Sequence, residues 1–192
     1  DIFTDTESKP SIRRNEFGPG SAYAVQLAAR AISKLRNNAF YPGRGVAVIG
    51  GEVTTSATWT SQGDHYYILG DVMVGGPKGP ILTLDPGLVL AFDTRAGLYV
   101  GYNGQPGALQ VNGGEIGVRF TRASAEGYWS GIFFDETCDS ANTTLDGAII
   151  EYGGSGLGMR WHGEKWSGAI NIYGANPTLR NGEISYADEH CI

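Results

Sequence analysis

Chemistry in this chain would have to come from a few scattered side chains. His65, His162 and His190 share no ligand spacing, so neither a metal centre nor a histidine-activated nucleophile is expected. No Gly-x-Ser-x-Gly elbow is present. Polysaccharide cleavage on a flat sheet would need carboxylates beside cations. Asp1, Asn171 and Gln26 make one candidate outward column, and Arg180, Arg13 and Arg36 another. The first holds a single carboxylate where glycoside hydrolysis asks for two, about 5 to 9 Å apart. The arginines read as partners of Glu183 and Glu16, three residues on, with acidic-glycan binding as the alternative. The chain is therefore expected not to be an enzyme, and to carry no cofactor and no metal. Trp161 and Trp166, close together in one loop, offer aromatic faces for glycan contact. Asp135, Glu136 and Asp139 lack calcium-loop spacing and read as a solvated loop. Cys138 and Cys191 allow one disulfide only if the loop around Cys138 folds over.

Composition narrows the partners. Among 192 residues, 30 are glycine and 18% are charged, with a net charge of -6. A turn-rich folded chain follows from the first two figures. The acidic balance speaks against nucleic acid, which calls for a basic face. No apolar run is long enough to span a bilayer, so no membrane insertion is expected. Asp1 in first position reads as a processed or excised piece of a larger product.

The elements that must position these side chains are announced by a repeat. Pro177-Thr178-Leu179-Arg180-Asn181-Gly182-Glu183-Ile184 resembles Pro10-Ser11-Ile12-Arg13-Arg14-Asn15-Glu16-Phe17, and both resemble Leu35-Arg36-Asn37-Asn38-Ala39-Phe40. Each has an aliphatic residue, then Arg, then Ile or Phe five places on. The step from Ile12 to Leu35 is nearly matched by the step from Leu179 through the C-terminus and on to Ile12, so the period survives the junction of the two ends. Such a period marks a solenoid, whose coils bury apolar surface only by stacking. In-out-in triplets repeat the point: Ile170-Asn171-Ile172, Val25-Gln26-Leu27 and Val46-Ala47-Val48 are expected in one column, with Ile192-Asp1-Ile2 split across the ends.

Short alternations at Tyr67-Ile68-Leu69, Val72-Met73-Val74, Ile81-Leu82-Thr83-Leu84, Leu88-Val89-Leu90-Ala91-Phe92 and Leu98-Tyr99-Val100 predict strands. Turns are expected at Asp85-Pro86-Gly87, Asn103-Gly104, Asn112-Gly113 and Asn181-Gly182. Ala22 to Leu35 has a helical composition, which the repeat overrules in favour of strand.

Leu82-Thr83-Leu84-Asp85-Pro86-Gly87, Val118-Arg119-Phe120-Thr121, Tyr128-Trp129-Ser130-Gly131-Ile132 and Ile150-Glu151-Tyr152-Gly153-Gly154 occur in an order that resembles bacterial right-handed parallel β-helix repeat proteins of the pectate-lyase-like kind, found in surface proteins. The resemblance implies an all-β, right-handed parallel β-helix and a structural Trp129. About eight coils of roughly 24 residues would give an axial length of about 38 Å. Insertions are expected at Asp135 to Thr144 and Ser155 to Trp166. Residues 1–192 read as one module, with 1–58 as closing coils of a preceding period and 59–192 as the coils that follow.

No cap is legible at either end, and Asp1, Ile2, Phe3, Cys191 and Ile192 are strand-like to the last residue. The expected role is a structural block of an extracellular or cell-surface fibre or giant surface protein. Its partners would be identical copies or adjacent repeats joined head to tail. A glycan-binding adhesin segment is the alternative, followed by a polysaccharide lyase or hydrolase.

Overall fold

The computed structural model describes residues 1–157, 163 and 166–192. Its strands are short, and every pairing between them is parallel. Parallel neighbours need a long crossover, and here the crossover is the rest of each coil.

Sheet I runs the length of the molecule through Ile2–Phe3, Tyr23–Leu27, Gly45–Val48, Tyr66–Ile68, Val89–Phe92, Val118–Arg122, Ala148–Glu151 and Glu183–Ser185. Its register carries Ile2, Val25, Val46, Tyr66, Leu90, Phe120, Ile150 and Ile184 in one inward line. Eight such strands bound seven full coils, close to the expected eight, and the parallel β-helix is borne out. Coil length is uneven: the step from Val46 to Tyr66 is the shortest along this line, and that from Ile150 to Ile184 the longest. The strands of sheet I hold two to five residues throughout, so coil length varies without disturbing the ladder.

Sheet II contains Gly51–Val53, Val72–Val74, Gly97–Val100, Gly131–Phe134 and Ile170–Ile172. Sheet III contains Ala57–Trp59, Ile81–Leu84, Ala108–Asn112, Thr144–Asp146 and Thr178–Arg180. Inward lines such as Val53, Val74, Val100, Phe134, Ile172 and Trp59, Leu84, Val111, Leu145, Leu179 fill the axis with apolar side chains. Trp129 is fully buried against Phe92, with ring centroids 4.2 Å apart, and its Nε1 donates to the Glu151 carbonyl at 2.7 Å. It belongs to the core, as the resemblance implied.

The first two coils are built differently. Ile12–Arg13 pairs with Leu35–Arg36, and Glu16–Phe17 with Ala39–Phe40, as two short two-stranded ladders. Strand Tyr23–Leu27 holds Val25 and Leu27 inward as expected, but Ala29–Lys34 is a 3₁₀ helix rather than strand. Ala29, Ala31 and Ile32 are buried there, so small side chains let one tight turn close over the core where sheets II and III have not yet begun.

Ile170-Asn171-Ile172 lies in sheet II, whereas Val25 and Val46 lie in sheet I, so the expected common column is corrected within one copy. All three sheets use the same in-out-in alternation, and alternation alone does not say which sheet a triplet joins.

Candidate functional site

The open ends are the most distinctive surface. At the C-terminal end, Leu145, Ile150, Ile170, Leu179, Ile184 and Ile192 line an apolar pit of about 220 Å³. This is the inward column of all three sheets cut across. Strands Glu183–Ser185, Thr178–Arg180 and Ile170–Ile172 are the last members of sheets I, III and II. The segment His190 to Ile192 begins another layer on sheet II: Gly168 bridges His190, and the Ala169 and Ile170 N–H groups donate to the carbonyls of His190 and Cys191. Carried one step further, that register sets Ile192 beside Ile170, where it projects into the pit while remaining 67% exposed.

At the N-terminal end, Ile2 packs inward level with Val25, and Phe3, level with Gln26, stands 62% exposed on the outer face. Asp1 points elsewhere. Its carboxylate pairs with Arg44, whose buried guanidinium also donates to the carbonyls of Gly18 and Ser21 at 2.6 Å and of Tyr23 at 3.2 Å. A planar fork with five donors suits this cluster of acceptors. The coil from Gly18 to Tyr23 is thereby tied to the strand that starts at Gly45. Arg44 escaped the sequence reading; its one signal was a charged residue set between Gly43 and Gly45 where a strand begins.

The predicted columns fare unequally. Asp1, Asn171 and Gln26 do not form one line: Asp1 is held by Arg44, and Asn171 closes on Gly168 through bonds of 2.7 and 2.9 Å. Phe3, not Asp1, is level with Gln26, a register shifted from that expected. Arg13 and Arg36 are neighbours as expected. Arg180 instead pairs with Asp146 at 3.0 Å, directly opposite on the adjacent coil, in place of Glu183. Three residues on from Arg180 the chain has turned a corner onto another sheet, so the cross-strand neighbour is the closer partner. The Asp146 carboxyl is held below the usual range, first by the Asn181 amide and then by Arg180.

Trp161 and His162 lie outside the described residues. Trp166 packs on an outer apolar cluster in which Tyr99 and Phe133 stack at 4.6 Å on sheet II, with Tyr102 edge-on. The runs Leu98-Tyr99-Val100 and Ile132-Phe133-Phe134 carry an apolar residue at the outward position, a signal of an external cluster that sequence reasoning passed over. His65 contacts Asp64 at 2.6 Å, and the carbonyl of His190 lies in the sheet II layer. Asp135 is buried and accepts from the Glu136 N–H at 2.9 Å, while Asp139 accepts from Asn142 at 2.7 Å. These bonds keep the acidic loop turned on itself. Among the described residues no group of three or more His, Cys, Asp or Glu gathers where a metal would sit. Cys138 and Cys191 are both free thiols; Cys138 is buried against Thr143 at 3.3 Å, and burial pushes its thiol up, the reverse of a nucleophile's environment.

Compared with protein-family models, curated proteins and solved structures, the chain matches none.

Proposed function

We propose that this chain is a structural block of an extracellular or cell-surface assembly of the pectate-lyase-like repeat kind, continued head to tail through the ends of its β-helix. The observation that carries the reading is the uncapped apolar pit at the C-terminal end, rimmed by the last strands of all three sheets. Open strand edges and cut apolar columns are a liability that solenoids relieve by a cap or by another coil. Among the described residues no element crosses the pit, and another copy supplies what it lacks: further parallel strands carrying Ile2, Ile12 and Phe17 inward. A heterologous contact of this kind propagates without closing, which produces a filament.

Sedimentation over a concentration series, followed by electron microscopy, tests it. Oligomers that grow with concentration into rods of uniform width, with an axial spacing of about 4.8 Å, are the expected result. A monomer at every concentration would overturn it. Glycan binding lost on Trp166→Ala in such a monomer would move the assignment to the adhesin reading, and unsaturated sugar products to a lyase.

A further inference from the structure

Resting on that head-to-tail reading, we infer that a second copy docks with an advance of one third of a turn, so that sheet II of one copy continues as sheet I of the next. The last layer of the C-terminal end is already laid down on sheet II by His190 to Ile192. The first strand of the N-terminal end, Ile2–Phe3, belongs to sheet I. Extending the Gly168↔His190 register across the two ends brings Ile172 level with Ile2 of the second copy. Ile2 is level with Val25, and Val25 with Val46. The column that is broken within one copy becomes continuous across two.

The corners agree. Leu179-Arg180-Asn181, Ile12-Arg13-Arg14 and Leu35-Arg36-Asn37 each place their third residue in the left-handed region, at φ 53°, 57° and 57°. That conformation is rare for non-glycine residues and fixes the angle between the two strands that flank it. The N-terminal corners already stack on one another at equal intervals, Ile12 on Leu35 and Phe17 on Phe40. The C-terminal corner is the same device, and among the described residues nothing lies above it. Setting Ile12 over Leu179 and Phe17 over Ile184 covers the pit with two apolar side chains, and Pro19 then falls over Tyr186, whose ring stacks on Tyr152 below and is 66% exposed above.

The spacing of the corners agrees with the advance. With two copies written end to end, the steps from Leu179 to Ile12 and from Ile184 to Phe17 come close to the Ile12-to-Leu35 step at which the N-terminal corners stack. Seven and one third coils at about 4.8 Å each then give a rise of about 35 Å per copy with a rotation of about 120°, apart from the twist of the stack.

Cysteine pairs separate the registers. Neighbouring parallel strands bring Cα atoms into disulfide range, so the advanced register predicts that Glu183→Cys with Glu16→Cys gives an oxidative ladder of dimers and higher species. The straight register predicts that ladder for Ser185→Cys with Phe3→Cys instead, and single variants control for native Cys191. A ladder from the first pair alone is expected. A ladder from the second pair, or assembly with neither, overturns the advance while leaving head-to-tail stacking in place. Loss of assembly in the unmodified chain removes stacking and advance together. Helical reconstruction of unmodified filaments reads the rotation per copy without any substitution: about 120° supports the advance, and a value near zero refutes it.

Discussion

Trp129→Ala offers the sharpest test of how the solenoid is held. The indole is fully buried, stacked on Phe92 with ring planes 17° apart, and donates to the Glu151 carbonyl. Removing a buried Trp costs about 3–5 kcal/mol for lost transfer and cavity. Leaving the Glu151 carbonyl unsatisfied adds about 1–3 kcal/mol if no water replaces the donor. A total of about 4–8 kcal/mol is expected. At a tenfold change for each step of about 1.4 kcal/mol, the lower figure corresponds to roughly a thousandfold more frequent opening. The loss should be local, because a coil touches only the coils beside it. Native-state hydrogen exchange is the assay. Amides of Val89–Phe92, Val118–Arg122 and Ala148–Glu151 are expected to accelerate by about a thousandfold, while those of Tyr23–Leu27 and Gly45–Val48 change little. Equal acceleration in all five strands would refute quasi-independent coils, and unchanged exchange would refute the packing role of Trp129. Trp129→Phe, which keeps most of the stack but not the donor, should fall between.

Further perturbations probe the ends, the corners and the charge. Arg44→Met should release the Gly18 to Tyr23 segment to proteolysis while leaving sheets II and III intact, and Arg44→Lys should not restore it, because one ammonium cannot serve the acceptors that the guanidinium reaches together. Limited proteolysis with mass spectrometry checks this. Asp71 is raised above the ordinary carboxylate range by burial, only partly offset by its bond from the Gly97 N–H at 2.9 Å. Its folded form binds the proton more tightly, so stability should fall as pH rises from 3.8 through the folded value. Asp71→Asn, which retains an acceptor for Gly97, should be more stable than the parent at neutral pH and lose that advantage in acid, measured by denaturant midpoints. Gly107→Ala would drive a methyl to 2.2 Å from the Val74 carbonyl oxygen and should abolish folding at that coil, whereas Gly104→Asn, at φ 71° with open space around it, should be tolerated in a thermal melt.

Much of the architecture was legible because a parallel β-helix writes each coil in the same alphabet. Val72–Val74 and Ile81–Leu84 are strands at the residues where alternation placed them, and Asn103, Gly104 and Asn181 adopt the positive φ that their turn chemistry suggested. What resisted was assignment among sheets. Ile170-Asn171-Ile172 and Val25-Gln26-Leu27 have the same alternation, and only the uneven length of the coils between them decides which sheet each one joins. The 3₁₀ turn at Ala29–Lys34 was hidden for a related reason: small apolar residues suit a buried strand or a tight helix equally, and the missing neighbours in sheets II and III decide. At the ends, Ile2, Phe3, Cys191 and Ile192 do lie on the terminal layers, but the partner of Asp1 is Arg44, far along the chain and beyond the reach of any local pattern.

The ladders all point along the axis, and this orientation has a mechanical consequence. When such a chain is pulled by its two ends, the hydrogen bonds of sheets I, II and III bear the load in series, coil after coil, rather than sharing it in shear. Each coil peeled off releases its own contour, and those contours differ along sheet I. A force trace should therefore show a staircase of small, uneven steps, the longest from the coil that ends at Ile184 and the shortest from the coil between Val46 and Tyr66. Such a trace would mark an element that yields coil by coil, where a single large rupture would mark one that fails as a whole.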